Sequence, residues 1–113
     1  MQNFANRRRY TRYHTDFPLS ANVRRPSGNI RVEGRCRELA EAGLCVIFPE
    51  ELGGLIAGEI VVLDFSLRGL EHRLCIKALV RYRSGSRHGF EFVGVVRGCR
   101  ESILTFCRNL QPQ

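Results

Sequence analysis

Apolar and polar residues alternate along most of the chain in short runs, and only the C-terminal segment changes period. Alternation by two puts successive side chains on opposite faces of a strand, whereas recurrence about every 3.6 residues marks one face of a helix. The pattern predicts a first strand over Asp16 to Val23, with Pro18 arguing that its start lies on an edge, because proline donates nothing to a ladder. Arg24 to Asn29 is a turn cluster around Pro26 and Gly28. Ile30 to Arg37 sets Ile30 and Val32 against Arg31 and Glu33 as a second strand, with Gly34 the expected site of a bulge. Leu44 to Phe48 is a short third strand with Leu44, Val46 and Phe48 on one face, and Pro49 to Gly58 is a glycine-rich loop holding one helical turn.

Two longer strands follow. Glu59 to Leu67 is nearly all apolar, and Arg68-Gly69-Leu70 forms a hairpin turn into His72 to Arg83. That fifth strand places Leu74, Ile76, Ala78, Val80 and Tyr82 on an inner face, opposite Lys77, Arg81 and Arg83. After a turn at Ser84 to His88, Gly89 to Val96 is a sixth strand with Phe90 and Phe92 pointing the same way. Cys99, Ile103, Phe106, Cys107 and Leu110 then recur at helical spacing, with Arg108 in the last turn to suit the helix dipole. The fold class is therefore mainly β: a six-stranded antiparallel barrel with a C-terminal helix. Residues 1–113 form one domain, divided into a flexible arm over 1–15, a barrel over 16–96 and a helix over 98–110.

Composition narrows the class. A chain of 113 residues with 43% hydrophobic and 26% charged residues builds one modest core. The net charge is +7, with Lys77 the single lysine among the cations. Biased codon usage would give that arginine excess without any function, so position matters more than number. Removing Arg7, Arg8, Arg9 and Arg12 would leave +3 on the body. The five cysteines contain no C-x-x-C pair, and Cys99 and Cys107 are expected to face one core as small hydrophobes. The polar, arginine-rich N-terminus is not a signal peptide, and no apolar run approaches the ~20 residues of a membrane span. A reducing cytoplasm is the expected compartment.

Catalytic equipment is sparse. No carboxylate pair shares a segment with a base, no Ser/His/Asp or Cys/His arrangement stands out, and Gly53-Gly54 lacks the lysine of a phosphate-cradling loop. His14, His72 and His88 have no ligand spacing, so no metal is expected. The chain is read as a binding protein and not an enzyme, with no catalytic residue assigned.

The candidate chemistry lies in Arg7-Arg8-Arg9-Tyr10-Thr11-Arg12. Guanidinium forks match phosphate oxygens and the O6/N7 edge of guanine, and they stack on bases. The spacing Arg8-x-x-x-Arg12 lets two forks reach one ligand. A second cluster, Glu38-Leu39-Ala40-Glu41-Ala42-Gly43, precedes the apolar Leu44-Cys45-Val46, and Gly89-Phe90-Glu91-Phe92 ends the strand region. Arginine motif, glycine cluster, strand count and terminal helix together resemble the PilZ domain family, bacterial receptors for cyclic di-GMP. The resemblance spans nearly the whole chain.

The resemblance implies a cyclic di-GMP receptor that acts as an adaptor through a protein partner, with no other cofactor. Arg8 and Arg12 match the motif arginines that grip phosphate and guanine, and Arg9 adds a further contact. The arm would close over the barrel when ligand neutralises its charge. The second cluster departs from the family pattern [Asp/Asn]-x-Ser-x-x-Gly: Glu38 replaces Asp or Asn, Ala40 replaces Ser, and Gly43 is retained. An ordinary turn with Gly43 in a left-handed conformation is the bland account of that segment. Ala40 loses a hydroxyl, at a cost of about 0.5–1.5 kcal/mol per neutral hydrogen bond. Two alternatives stay open: a degenerate interaction module that no longer binds the nucleotide, and a small basic barrel that binds single-stranded nucleic acid. The last would need a row of exposed aromatics on a basic face, whereas Phe90, Phe92 and Phe106 are expected in the core.

Overall fold

The computed structural model describes residues 11–48, 54–70 and 73–110. Among them, six strands and one helix run in the order β1 (Tyr13–Arg25), β2 (Gly28–Ala40), β3 (Gly43–Ile47), β4 (Ile60–Phe65), β5 (Leu74–Ser84), β6 (Arg87–Phe92) and α1 (Arg97–Cys107). The strands close into an antiparallel barrel in the spatial order β1-β2-β3-β6-β5-β4. Closure pairs β1 with β4 only over Ala21 to Arg24, so the edge that an open sheet would expose is covered along that stretch.

The inner face is built by the alternation read from sequence. Leu19, Ala21 and Val23 of β1, Val61, Leu63 and Phe65 of β4, and Leu74, Ile76, Ala78 and Val80 of β5 are all buried. Phe48, Phe90 and His88 pack as an aromatic group beside the β5–β6 turn, with Phe48 and His88 ring centroids 5.4 Å apart. Helix α1 packs on β2 and β5, with Ile103 and Cys107 buried and Phe106 meeting Phe17 edge to face at 5.4 Å. Cys99 is only half-buried, so of the two cysteines Cys107 alone is a full core residue. Burial pushes the Cys107 thiol up to about 11, which keeps it protonated.

Several boundaries differ from the sequence reading. β1 starts at Tyr13, so Tyr13 to Thr15 belong to a strand rather than to an arm. β1 meets β4 only from Ala21 to Arg24, which leaves Pro18 opposite Arg35 of β2 and outside the β4 ladder. β6 ends at Phe92, and Gly94 turns the chain with a φ of 63°. Arg108 is the C-cap of α1 and not part of its last turn. Gly34 is paired in register with Leu19 and is not a bulge. Its role is close packing, because a side chain there would strike the Ile47 carbonyl and the Phe48 ring. The helical turn expected after Pro49 lies partly outside the described residues, and Gly54 to Glu59 holds only a turn at Ala57-Gly58.

Candidate ligand-binding site

The real bulges fall elsewhere, and they create the site. β1 carries an extra residue against β2 between His14 and Phe17. β2 carries Arg37 as an extra residue against β3, between Cys36 and Glu38. β5 carries Arg81 as an extra residue against β6, between Val80 and Tyr82. Because side chains alternate by two, one inserted residue reverses which face each later side chain occupies. Cys36 thus faces the core while Glu38 faces out, and Val80 faces the core while Tyr82 is 42% exposed. The inward position expected for Tyr82 is corrected by this inserted arginine.

Past the bulges, the outer wall carries a cross-strand row. Glu38 of β2 lies opposite Cys45 of β3, Cys45 opposite Gly89 of β6, and Gly89 opposite Tyr82 of β5. A second row runs Ala40, Gly43 and Glu91. Small residues in mid-row leave a trough between taller flanks. It forms a cavity of about 870 Å³ lined by Arg12 and Glu38 on one side, Arg81, Tyr82 and Glu91 on the other, and Ala40, Gly43 and Cys45 between them, with Gly89 beneath the Tyr82 ring. That volume suits a small-molecule ligand, for which sites run roughly 300–1,000 Å³.

Gly43 does not adopt a positive φ, so its expected left-handed conformation is not found. The two-residue connection Glu41-Ala42 closes the hairpin by itself, and the Ala42 carbonyl accepts from the Phe92 N–H at 2.8 Å. Glycine is required at 43 because β6 approaches there: an added Cβ would collide with the Phe90 carbonyl.

Polar groups on the walls interlock. The Tyr82 hydroxyl donates to Cys45 Sγ at 3.3 Å, and Arg81 pairs with Glu91 at 3.4 Å on the exposed rim. Burial and the bond to Cys45 push the Tyr82 phenol upward against the pull of Arg87, which keeps the hydroxyl protonated near neutral pH. Arg87 is itself held further up, chiefly through its hydrogen bond with Tyr82, with Cys45 and Glu38 adding to it. The trough therefore offers arginine cations, two carboxylates, a phenol and an aromatic face. Among the described residues no group of His, Cys, Asp and Glu is placed to hold a metal ion.

Of the residues expected to bind ligand, Arg12, Glu38, Ala40 and Gly43 come together on this cavity, while Arg8 and Arg9 lie outside the described residues. Arg81 and Tyr82 were missed, and Gly89 and Glu91 were noted only within the Gly89-Phe90-Glu91-Phe92 run and not as ligand-binding residues. A partial signal was available for β2: buried Val32 and Cys36 keep even spacing, then Leu39 is buried at an odd step. That slip of phase marks the Arg37 bulge. Nothing comparable precedes Tyr82, where the apparent alternation simply continues.

Among the described residues no helix is long and apolar enough to cross a membrane. Comparison with curated protein sequences gives no significant match. Among solved structures, the PilZ domain with c-di-GMP of YcgR from Escherichia coli is similar with a TM-score of 0.74 and 16% identity, over 92% of this chain and 91% of that one. The PilZ domain of CeSA from a cellulose-synthesizing bacterium gives a TM-score of 0.62 and 20% identity, over 84% of this chain and 92% of that one. MotI (DgrA), an inhibitor of motility from Bacillus subtilis, gives a TM-score of 0.69 and 24% identity over 96% of this chain. The chain spans about half of that protein, 51% of its length. At these identities the likeness is one of fold. The sequence profile of the PilZ domain matches residues 6–109, nearly the whole length, and the chain belongs to the PilZ domain family.

Proposed function

We propose that the chain is a cyclic di-GMP receptor that binds the nucleotide in the trough and signals through a protein partner. The observation that carries this reading is the convergence of Arg12, Glu38, Ala40 and Gly43 on one cavity. Membership of the PilZ family and the c-di-GMP in the YcgR domain support it. The ligand has two phosphates and two guanines, and so needs cationic forks and base-edge acceptors together. Arg12 supplies a fork at the mouth. Arg8 and Arg9 are within ~14 Å of Arg12 by covalent reach alone. Ligand phosphates draw these arginines onto the cavity, and the closed arm then presents a new surface to the partner. Glu38 accepts from guanine N1–H and N2–H. The groups on the walls recognise and orient, and a receptor role without catalysis is assigned.

The test is isothermal titration with cyclic di-GMP, with GTP and cyclic GMP as controls. Saturable binding is expected, and Arg8→Ala or Arg12→Ala abolishes it without moving the Tm of the free protein, since Arg12 is exposed. An Arg12→Ala protein that unfolds would make that arginine structural and remove it from the site. One observation favours a second reading, an interaction module that has lost the nucleotide: Ala40 puts a methyl group on the cavity floor where the family pattern has a hydroxyl. No heat from the natural protein, with binding restored in an Ala40→Ser, Glu38→Asp variant, would select that reading.

A further inference from the structure

The Tyr82 ring is seated in an unusual way. It lies across the outside of the barrel directly over Gly89, its cross-strand neighbour, and a Cβ on Gly89 would run into ring atoms Cε2, Cδ2 and Cζ. Its hydroxyl is tied at the far end by the bond to Cys45 Sγ at 3.3 Å. The ring is thus fixed on one face by glycine backbone and at its tip by a thiol. Still, the residue is 42% exposed and lines the cavity that also holds Arg12 and Glu38. Burial of Gly89 beneath Tyr82 accounts for the covered face. It leaves unexplained why a large aromatic is held flat with its other face toward a charged trough.

We infer that Tyr82 is the platform on which one purine base of the bound dinucleotide stacks. The inference deepens the proposed function and rests on it. A flat π-face stacks on any purine without a hydrogen-bond code, and its worth grows when the ring is immobilised beforehand, because no side-chain freedom is lost on binding. Glu38 stands across the trough from Tyr82, with the strands of Cys45 and Gly89 between them, so a base lying on the ring turns its edge toward the carboxylate. Arg81, inserted next to Tyr82, flanks the same base with a cation. The stack offsets the hydroxyl that Ala40 lacks. Gly89 becomes a positioning residue that touches no ligand, since only a residue without a side chain lets the ring lie down.

Three variants and one spectrum test the assignment. Tyr82→Phe keeps the ring and should stay within about threefold of the natural Kd for cyclic di-GMP, whereas Tyr82→Leu should weaken binding roughly 5- to 150-fold, the range for loss of one base–aromatic stack. Gly89→Ala should weaken binding by tipping the ring, although no contact group is removed. In the natural protein carrying ¹³C-labelled tyrosine, the Tyr82 ring protons, assigned by their loss in Tyr82→Phe, should move upfield on adding cyclic di-GMP. This spectrum needs no destabilised variant. Equal affinity in Tyr82→Leu, or unmoved Tyr82 resonances in a saturated complex, would overturn the platform and leave the receptor standing. A loss in Tyr82→Phe as large as that in Tyr82→Leu would assign the role to the hydroxyl instead. Absence of any cyclic di-GMP binding by the natural protein would overturn the receptor reading and the platform together.

Discussion

The Phe90 carbonyl fills the space into which a side chain on Gly43 would project, and the Glu91 Cα stands 3.3 Å from the same point. Backbone conformation does not demand glycine there, since Gly43 has no positive φ. The demand comes from the separation of β3 and β6, the pair that joins the hairpin to the far half of the barrel.

Gly43→Ala should therefore force those strands apart. The expected cost is about 1–3 kcal/mol, as for overpacking elsewhere, with little relief from the reduced freedom of the unfolded chain. Cyclic di-GMP affinity should fall too, because the Ala40–Gly43 pair is part of the cavity floor. Urea denaturation reads the stability. A midpoint equal to that of the natural protein would mean that β3 yields freely and that the close approach is not a constraint.

His88 should make stability depend on pH. It is 1% exposed, its Nδ1 lies 2.9 Å from the Ser86 carbonyl, and its Nε2 has no partner among the described residues. Nδ1 therefore carries the proton and donates, while Nε2 is bare. Burial lowers the ring's pKa below its ordinary 6.5, the Ser86 bond opposes this, and the Arg83 charge adds to the lowering. The unfolded chain then takes up a proton more readily than the folded one, so this contribution is intact above about 6.5 and fades as pH falls below it. The slope should reach at most ~1.4 kcal/mol per pH unit. Urea midpoints measured from neutral to mildly acid pH should show that slope in the natural protein and not in His88→Leu. An unchanged slope in His88→Leu would assign the titration to another group.

Asp64 ties two strands across the outer wall. Arg24 of β1 reaches it at 2.9 Å, and Arg73, just before β5, reaches it at 2.7 Å. Arg73 is the main cause holding this carboxyl below its usual range, with burial opposing and Arg24 adding. A lowered carboxyl contributes stability that is present above its unfolded value of 3.8 and is lost as pH falls through the folded value. Because both arginines are about half exposed, Asp64→Asn should cost only ~1 kcal/mol, and less in high salt. A chemical denaturation series in urea at low and high salt checks this. A loss that does not shrink with salt would point to packing instead of charge.

Much of the barrel was legible because alternation by two is a direct record of which side chains enter a core. Strand number, inner-face residues such as Leu74 and Ile76, and the terminal helix all follow from it. The arginine and glycine clusters marked part of the trough. The far wall was not legible, because it depends on inserted residues that are polar and leave no local mark. Arg81 between Val80 and Tyr82 reads as one more step of alternation, yet it turns Tyr82 from core to surface. Gly34 misled for the opposite reason: a glycine within a strand suggests a bulge, and here it admits Phe48. Pairing register is a property of two strands, so no single segment announces it.

Ala40 is the position at which the trough is most easily improved. It is 8% exposed on the cavity floor, next to the turn that closes the β2–β3 hairpin. Ala40→Ser with Glu38→Asp restores the hydroxyl and the shorter carboxylate of the family pattern. One added neutral hydrogen bond contributes about 0.5–1.5 kcal/mol, so cyclic di-GMP affinity should rise roughly two- to tenfold. The hydroxyl is small enough to enter the trough without displacing Leu39 or Leu44, which face the core, so the Tm without ligand should stay nearly constant. Titration of the double variant beside each single one separates the two contributions. If neither change strengthens binding, the ligand is not held along the Ala40–Gly43 row. Its guanine must then be read from the opposite wall, by Arg81 and Tyr82.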